Sequence, residues 1–362
     1  MKIVNILFNH KKSSNVNKTL GVERCFVDYT KNLSKNGHQL VSITKPNMVF
    51  ADEVRGYGEE FHEVKAINQG DIFSIIKMAK IFAKFKPDIV ICHSGRALTL
   101  SRLARMLTFQ KFPISVIDHG VNPKKFLKAD FLLTVNSYFN KESVRAGMPK
   151  DRAFVIPNMI EVPKDFKQLV KKSFRKKIRI GSLGRLFIEK NFDKVLHAML
   201  ILKERGIESE YVIGGVGPVE DTLKNLAKKL NLADNFKILG WVEDKRKFFD
   251  DIDIFILPSF GETFGIVLLE AMLYSTPIIT SNSWGPDEVI NHEVDGLKVS
   301  KDSAKVMPRL LADSINRLND DQNFAQKLAI NAQEKFYDKY TSEKVIAKIE
   351  SILKLAVEKG RR

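Results

Sequence analysis

Apolar runs of four to seven residues recur along the chain, each closed by a turn and followed by a stretch whose apolar positions repeat at helical spacing. Residues 2–8 form the first run. From Val22 the apolar positions 22, 25, 26, 29 and 33 predict a helix, and Gly37 supplies its stop. Further strands are predicted at 40–43, 88–92, 114–118, 131–136 and 153–156. Between them, 72–85 reads as an amphipathic helix with Lys77, Lys80, Lys84 and Lys86 among apolar residues, and Ser137 as the cap of a helix through Ala146 that ends at Gly147. Continuous apolar runs suit strands buried on both faces, and strict strand–helix alternation makes the sheet parallel and doubly wound.

A charged stretch without apolar period, 161–177, interrupts the series, and a second alternation follows. It predicts strand 178–183, helix 191–205, strand 210–214, helix 219–231, strands 236–239 and 253–257, helix 265–273, and strands 277–280 and 297–299. Two α/β domains are therefore expected, 1–165 and 178–340, joined by a basic linker at 166–177 and followed by a terminal helix within 341–362. A length of 362 residues suits two such domains.

Charge changes the picture because it is unevenly placed. Of the net +16, residues 1–170 carry +12, the seven residues 171–177 carry +5 and residues 178–362 carry −1. A basic first half attracts anionic lipid, nucleic acid or a phosphorylated substrate. No nucleic-acid motif and no interleaving of aromatic with basic residues is present, so a nucleic-acid partner is not expected. No apolar run approaches the roughly 18 residues of a membrane span, and Ile3 to Phe8 is too short for a signal-peptide core. A cytoplasmic protein is expected, with a basic domain suited to the inner face of the membrane. Cys25 and Cys92 lie in apolar surroundings and read as buried thiols; the seven histidines show no ligand spacing, and no metal is expected.

The candidate chemistry lies at the carboxyl ends of the predicted strands, where parallel sheets bind ligands. After strand 178–183, Gly184 turns the backbone and Arg185 and Lys190 emerge, an arginine able to grip phosphate oxygens in pairs and a lysine acting as a point charge. After strand 253–257, Pro258 to Gly261 breaks the run and a helix starts near Gly265, its positive dipole end suited to phosphate. Glu262 before that helix and Glu270 in its second turn bracket the loop. In the first half, strand 88–92 ends in His93, with Arg96, Arg102 and Arg105 following on one helix, and strand 114–118 ends in His119 and Gly120. Asp251 and Asp253 have the spacing of a metal-binding pair but introduce a buried strand.

Glu262 and Glu270, with seven residues between them, and the Gly184-Arg185 to Lys190 segment resemble the large family four of retaining glycosyltransferases with GT-B fold. The resemblance covers nearly the whole chain. It implies two Rossmann-like domains facing across a cleft, with the terminal helix packed back on the first, and transfer of a sugar from a UDP- or GDP-sugar to a glycan or lipid-linked acceptor. It implies that Arg185 and Lys190 hold the diphosphate, that Glu270 binds the ribose hydroxyls and Glu262 the donor sugar, and that the backbone at Phe264, Gly265 and Ile266 contacts sugar and phosphate. Gly215 is implied to shape the nucleotide pocket, Trp241 and Val242 to hold the base, Gly21 to allow close approach at the first domain, His119 to lie beside the donor sugar, and His93 and Arg96 to meet the acceptor. A front-face mechanism or a covalent glycosyl-enzyme would each retain configuration. A nucleotide-sugar epimerase or hydrolase of the same architecture is the alternative.

Overall fold

The computed structural model of the chain describes residues 1–8, 21–120, 122–164, 166, 174–301 and 305–361. Residues 9–20 and most of the expected linker, 167–173, lie outside the described residues. Two compact units result, Met1–Met159 with Ser342–Arg362, and Ile160–Thr341. The first unit ends short of residue 165 because Ile160 is bonded to the second: its N–H donates to the carbonyl of Tyr340, and it bridges to Thr341.

The first unit runs β1 (Lys2–Leu7), α1 (Gly21–Lys35), β2 (Gln39–Thr44), α2 (Ala51–Arg55), β3 (Glu60–Glu63), α3 (Ile72–Phe85), β4 (Ile89–Cys92), α4 (Gly95–Thr108), β5 (Ile114–Asp118), β6 (Phe131–Thr134), α5 (Ser137–Arg145) and β7 (Ala153–Val155). Its seven strands are parallel in the order β3-β2-β1-β4-β5-β6-β7. Every residue of β1 after Lys2 is buried, as a strand covered on both faces requires. The edge strand β3 escaped the sequence reading because Glu60, His62 and Glu63 leave no apolar run. Two lysines of α3 secure it: Lys84 pairs with Glu60 at 2.8 Å and Lys77 donates to the carbonyl of Glu63. The cap of α5 is Asn136, whose side chain accepts from the N–H of Phe139, and not Ser137, which is the first helical residue.

The second unit runs β8 (Ile178–Leu183), α6 (Phe192–Glu204), β9 (Ser209–Gly214), α7 (Glu220–Lys229), β10 (Phe236–Ile238), α8 (Lys245–Asp250), β11 (Ile254–Leu257), α9 (Ile266–Leu273), β12 (Ile278–Ser281), α10 (Trp284–Val289), β13 (Leu297–Val299), α11 (Met307–Asp320) and α12 (Gln322–Lys339). Its six strands are parallel in the order β10-β9-β8-β11-β12-β13. One face of this sheet meets α6 and α11 in a core that includes Ile180, Ile213, Ile256, Leu196, Leu311 and Ile315. The last helix, α13 (Ser342–Arg361), belongs to the first unit, where Ile346, Ile349 and Leu353 pack with Ile3, Tyr29 and Leu33.

In both sheets the strand order reverses once, between β1 and β4 and between β8 and β11. Chains leaving two such neighbours pass to opposite faces, which opens a crevice at the carboxyl ends of the strands.

Candidate active site

In the second unit, the loops after the two strands at the reversal are tied together. The N–H of Phe260 donates to the carbonyl of Glu189 at 2.9 Å, and Asn191 Nδ2 donates to the carbonyl of Pro258 at 3.1 Å. These bonds hold Lys190 Nζ 2.6 Å from Glu262 Oε2, with side chains only 17% and 14% exposed. The pair is thus partly desolvated, where loss of either partner leaves an uncompensated charge and is costly. Arg185 is exposed and its guanidinium lies over the ring of Phe187 at 4.8 Å.

Glycines draw two more loops onto this crevice. The N–H of Gly184 donates to the carbonyl of Gly214 at 2.9 Å, and that of Gly215 to the carbonyl of Gly240 at 2.6 Å. A Cβ on Gly215 would stand 1.8 Å from the oxygen of Gly184, so no other residue fits there. Val242 packs over Gly214, where a Cβ would meet its Cγ2 at 2.5 Å, and Trp241 beside it is 40% exposed. The segment 240–242 therefore flanks the glycine turn after β9.

Gly265 has φ +84°, a left-handed conformation that ends the loop and lets α9 begin at Ile266. The ring of Phe264 is buried against Tyr340, 6.3 Å between centroids, so the loop presents this residue's backbone. Behind the loop stands α10: the N–H of Gly285 donates to the carbonyl of Glu262 at 2.9 Å, and a Cβ on Gly285 would lie 2.2 Å from Phe264 Cα. Glu270, in the second turn of α9, has Lys245 Nζ 3.6 Å from its Oε2 and a side chain 19% exposed. Burial raises its pKa above the ordinary glutamate value, and the nearby lysine opposes that rise. Lys245 begins α8, capped by Asp244; the sequence reading missed it because six residues are too few to show a period.

Asp253 serves the sheet. Its carboxylate accepts from the backbone N–H of Arg179 at 2.8 Å and from Arg175 at 3.1 Å, so one cation of the basic linker is spent on a structural bond.

In the first unit the reversal point carries His93 and His119. His93, expected at the acceptor, is buried: its Nε2 is bonded to Asn5 Oδ1 at 2.9 Å, and its Nδ1 lies 3.2 Å from His119 Nε2. Both ring nitrogens face inward, and the residue positions His119. Burial holds the His119 imidazole down at about 4 and that of His93 well below its usual value, so both are neutral at physiological pH. These two histidines, without ligand spacing in the sequence, converge with Cys25 in the fold. Arg96 donates to the carbonyl of Ala66 at 2.8 Å. It sits near enough to Lys45, at the end of β2, to lower that lysine's pKa after burial has done so. Arg105 is committed to Asp130 and to the carbonyl of Phe112. Gly21 is the exposed first residue of α1.

Comparison with known proteins places this geometry. Residues 20–163 match the family Glycosyltransferase Family 4, and residues 163–335 match Glycosyl transferases group 1. The chain is 30% identical over 222 residues to MJ1607 of Methanocaldococcus jannaschii, an uncharacterized glycosyltransferase, covering 58% of this chain and 56% of that protein. It is 28% identical over 249 residues to the amylovoran biosynthesis glycosyltransferase AmsK of Erwinia amylovora, covering 63% and 61%. The matched regions thus span little more than half the length of these relatives. Among solved structures, Anabaena HepE in complex with UDP and glucose aligns with a TM-score of 0.77 at 18% identity over 98% of this chain and 99% of that one, a likeness of fold. Each unit thus matches a glycosyltransferase family model, and the two reversing parallel sheets have the GT-B fold.

Proposed function

We propose that the chain transfers a hexose, with retention of configuration, from a nucleoside-diphosphate sugar to a hydroxyl of a glycan or lipid-linked acceptor in cell-surface polysaccharide synthesis. The observation that carries this is the Lys190–Glu262 pair, set at the strand reversal of the second unit beside Arg185 and the start of α9. As the donor's bond to phosphate breaks, negative charge grows on the diphosphate. Arg185 and Lys190 stabilise it without needing a metal ion, and fixed cations in a partly dry site act more strongly on that developing charge than water does. Glu262, held by Lys190, accepts from hydroxyls of the sugar. Glu270 accepts from the ribose, Gly215, Trp241 and Val242 shape the base pocket, and the backbone of Phe264, Gly265 and Ile266 meets the phosphate. The HepE complex with UDP and the polysaccharide role of AmsK support these choices of donor and pathway class.

His119, neutral and steadied by His93, keeps the place beside the reacting sugar that the family resemblance gives it. Lys45 and Arg96, two cations close together at the carboxyl end of the first sheet, favour an acceptor with a phosphate or carboxylate. The product of transfer to such an acceptor, read by NMR at the anomeric carbon, is expected to keep the donor's configuration; an inverted product, or free sugar released at the same rate without acceptor, refutes the reading.

The first unit also suits docking on an anionic membrane. Phe73 of α3 is 87% exposed, Phe109 is 94% exposed in a left-handed conformation at the end of α4, and Lys80, Lys86, Arg102 and Lys111 lie on the same two packed helices or at their ends. Vesicles rich in anionic lipid are expected to sediment the protein at low salt and to release the Phe73→Ser, Phe109→Ser double variant; equal retention of both contradicts this.

A further inference from the structure

The first unit contains a cluster of metal-ligating donor atoms, of which sugar transfer leaves the Cys25 sulfur without a role. Cys25 of α1, His93 after β4 and His119 after β5 bring one sulfur and two imidazole nitrogens within 4.8 Å of one another. The tautomer of His93 follows from its outer contact. Asn5 gives its amide hydrogens to Thr30 Oγ1 at 2.9 Å and to the carbonyl of Phe26 at 3.3 Å, which leaves Oδ1 to accept from His93 Nε2. The proton therefore sits on Nε2, and Nδ1 turns its lone pair towards His119. An oxygen that fixes the outer nitrogen is the usual support of a metal-bound imidazole. The rings of Phe26 and Tyr29, each 5.5 Å away and edge-on, fix the plane of His93.

Two nitrogens 3.2 Å apart have nearly the separation of two corners of a tetrahedron around Zn²⁺, whose bonds to imidazole are about 2.0–2.1 Å. The sulfur lies within 4.8 Å of both nitrogens and moves inward to reach its own bond length of about 2.3 Å. Cys92, the other thiol, lies 3.5 Å from Ser101 Oγ and plays no part. A thiol binds such an ion as thiolate, so one proton leaves the sulfur as the ion enters. His119 is only partly buried, whereas Cys25 and His93 are buried.

We propose that Cys25, His93 and His119 bind a thiophilic transition-metal ion of the Zn²⁺ or Cu⁺ type, and that the bound ion withdraws His119 from turnover. The inhibitory part rests on the role given above to His119. The binding part does not.

The test uses the full chain without an affinity tag, treated with chelator and then titrated with ZnCl₂ by calorimetry in two buffers of different ionisation enthalpy. One ion per chain and release of one proton are expected. Co²⁺ in place of Zn²⁺ is expected to show an intense sulfur-to-metal band. Cys25→Ser, a small change to a group outside the transfer machinery, abolishes that band, and both it and His119→Ala weaken Zn²⁺ binding by about 10-fold or more with the circular dichroism spectrum retained. Absence of saturable binding in the natural chain, or binding that neither substitution weakens, overturns the site. Turnover in the natural chain is expected to fall with Zn²⁺, recover with chelator, and resist Zn²⁺ in Cys25→Ser. Full binding with undiminished turnover overturns the withdrawal of His119 alone, and loss of all transfer in metal-free protein points instead to failure of the proposed function.

Discussion

Glu270 shows how much a single environment decides. The same carboxylate that would be an ordinary surface acid on an isolated helix is here mostly buried, and its pKa is raised by that burial against the pull of Lys245. To accept hydrogen bonds from ribose hydroxyls it must be ionised. A raised pKa means that protonation sets in at a higher pH than for a free glutamate, so UDP affinity should decline on acidification from above the ordinary value of 4.5. Glu270→Gln should bind UDP more weakly at neutral pH and show a flat profile through that window. Calorimetric titrations across the acid range check this, and a pH-independent affinity in the natural chain contradicts it. The residue itself was legible in the sequence, eight residues beyond Glu262; its partner Lys245 was not. Nor was the pairing of Lys190 with Glu262, since the two are far apart in the chain and only the adjacency of β8 and β11 joins them. The same holds for Cys25, His93 and His119, whose donors come from three elements and leave no spacing to read.

At the scale of elements, strands were more legible than the pieces that buttress them. Buried parallel strands announce themselves as unbroken apolar runs, and β8, β9, β11 and β12 fall within a residue or so of the expected bounds. The short α8 and α10 carry too few turns to show a period. Helix α12 relies on Ala325, Ala329 and Ala332, small residues whose burial only packing reveals. Helix α11 does carry a helical period at Leu311, Ile315 and Leu318, a signal that reading from strand to strand passes over. Of these, α10 matters most to function because Gly285 leans directly on the backbone of Phe264. Gly285→Ala forces the two apart, and is expected to cost about 1–3 kcal/mol in urea unfolding while also weakening UDP binding. An unchanged UDP affinity would show that α10 does not hold the loop in place.

For the whole molecule, the decisive feature is that the last helix belongs with the first residues. Ile349 of α13 is fully buried in a cluster with Ile3 and Leu33, so the chain's two ends share one core. Ile349→Ala should therefore destabilise by about 2–5 kcal/mol in equilibrium unfolding of the full chain. A cost near zero would mean that the helix is not docked. The separation of charge follows the same division: the excess of lysine and arginine lies in residues 1–177, while the unit carrying the diphosphate cations is nearly neutral overall. The positive charge assigned to the diphosphate in the second unit is therefore local and placed by the one loop after β8. The most direct measurement of that claim is calorimetric titration of UDP into the natural chain and into the variants Arg185→Ala and Lys190→Ala. The account predicts saturable binding to the natural chain and a loss of about 10-fold or more in each variant at unchanged secondary structure. Equal UDP affinity in all three proteins would contradict it.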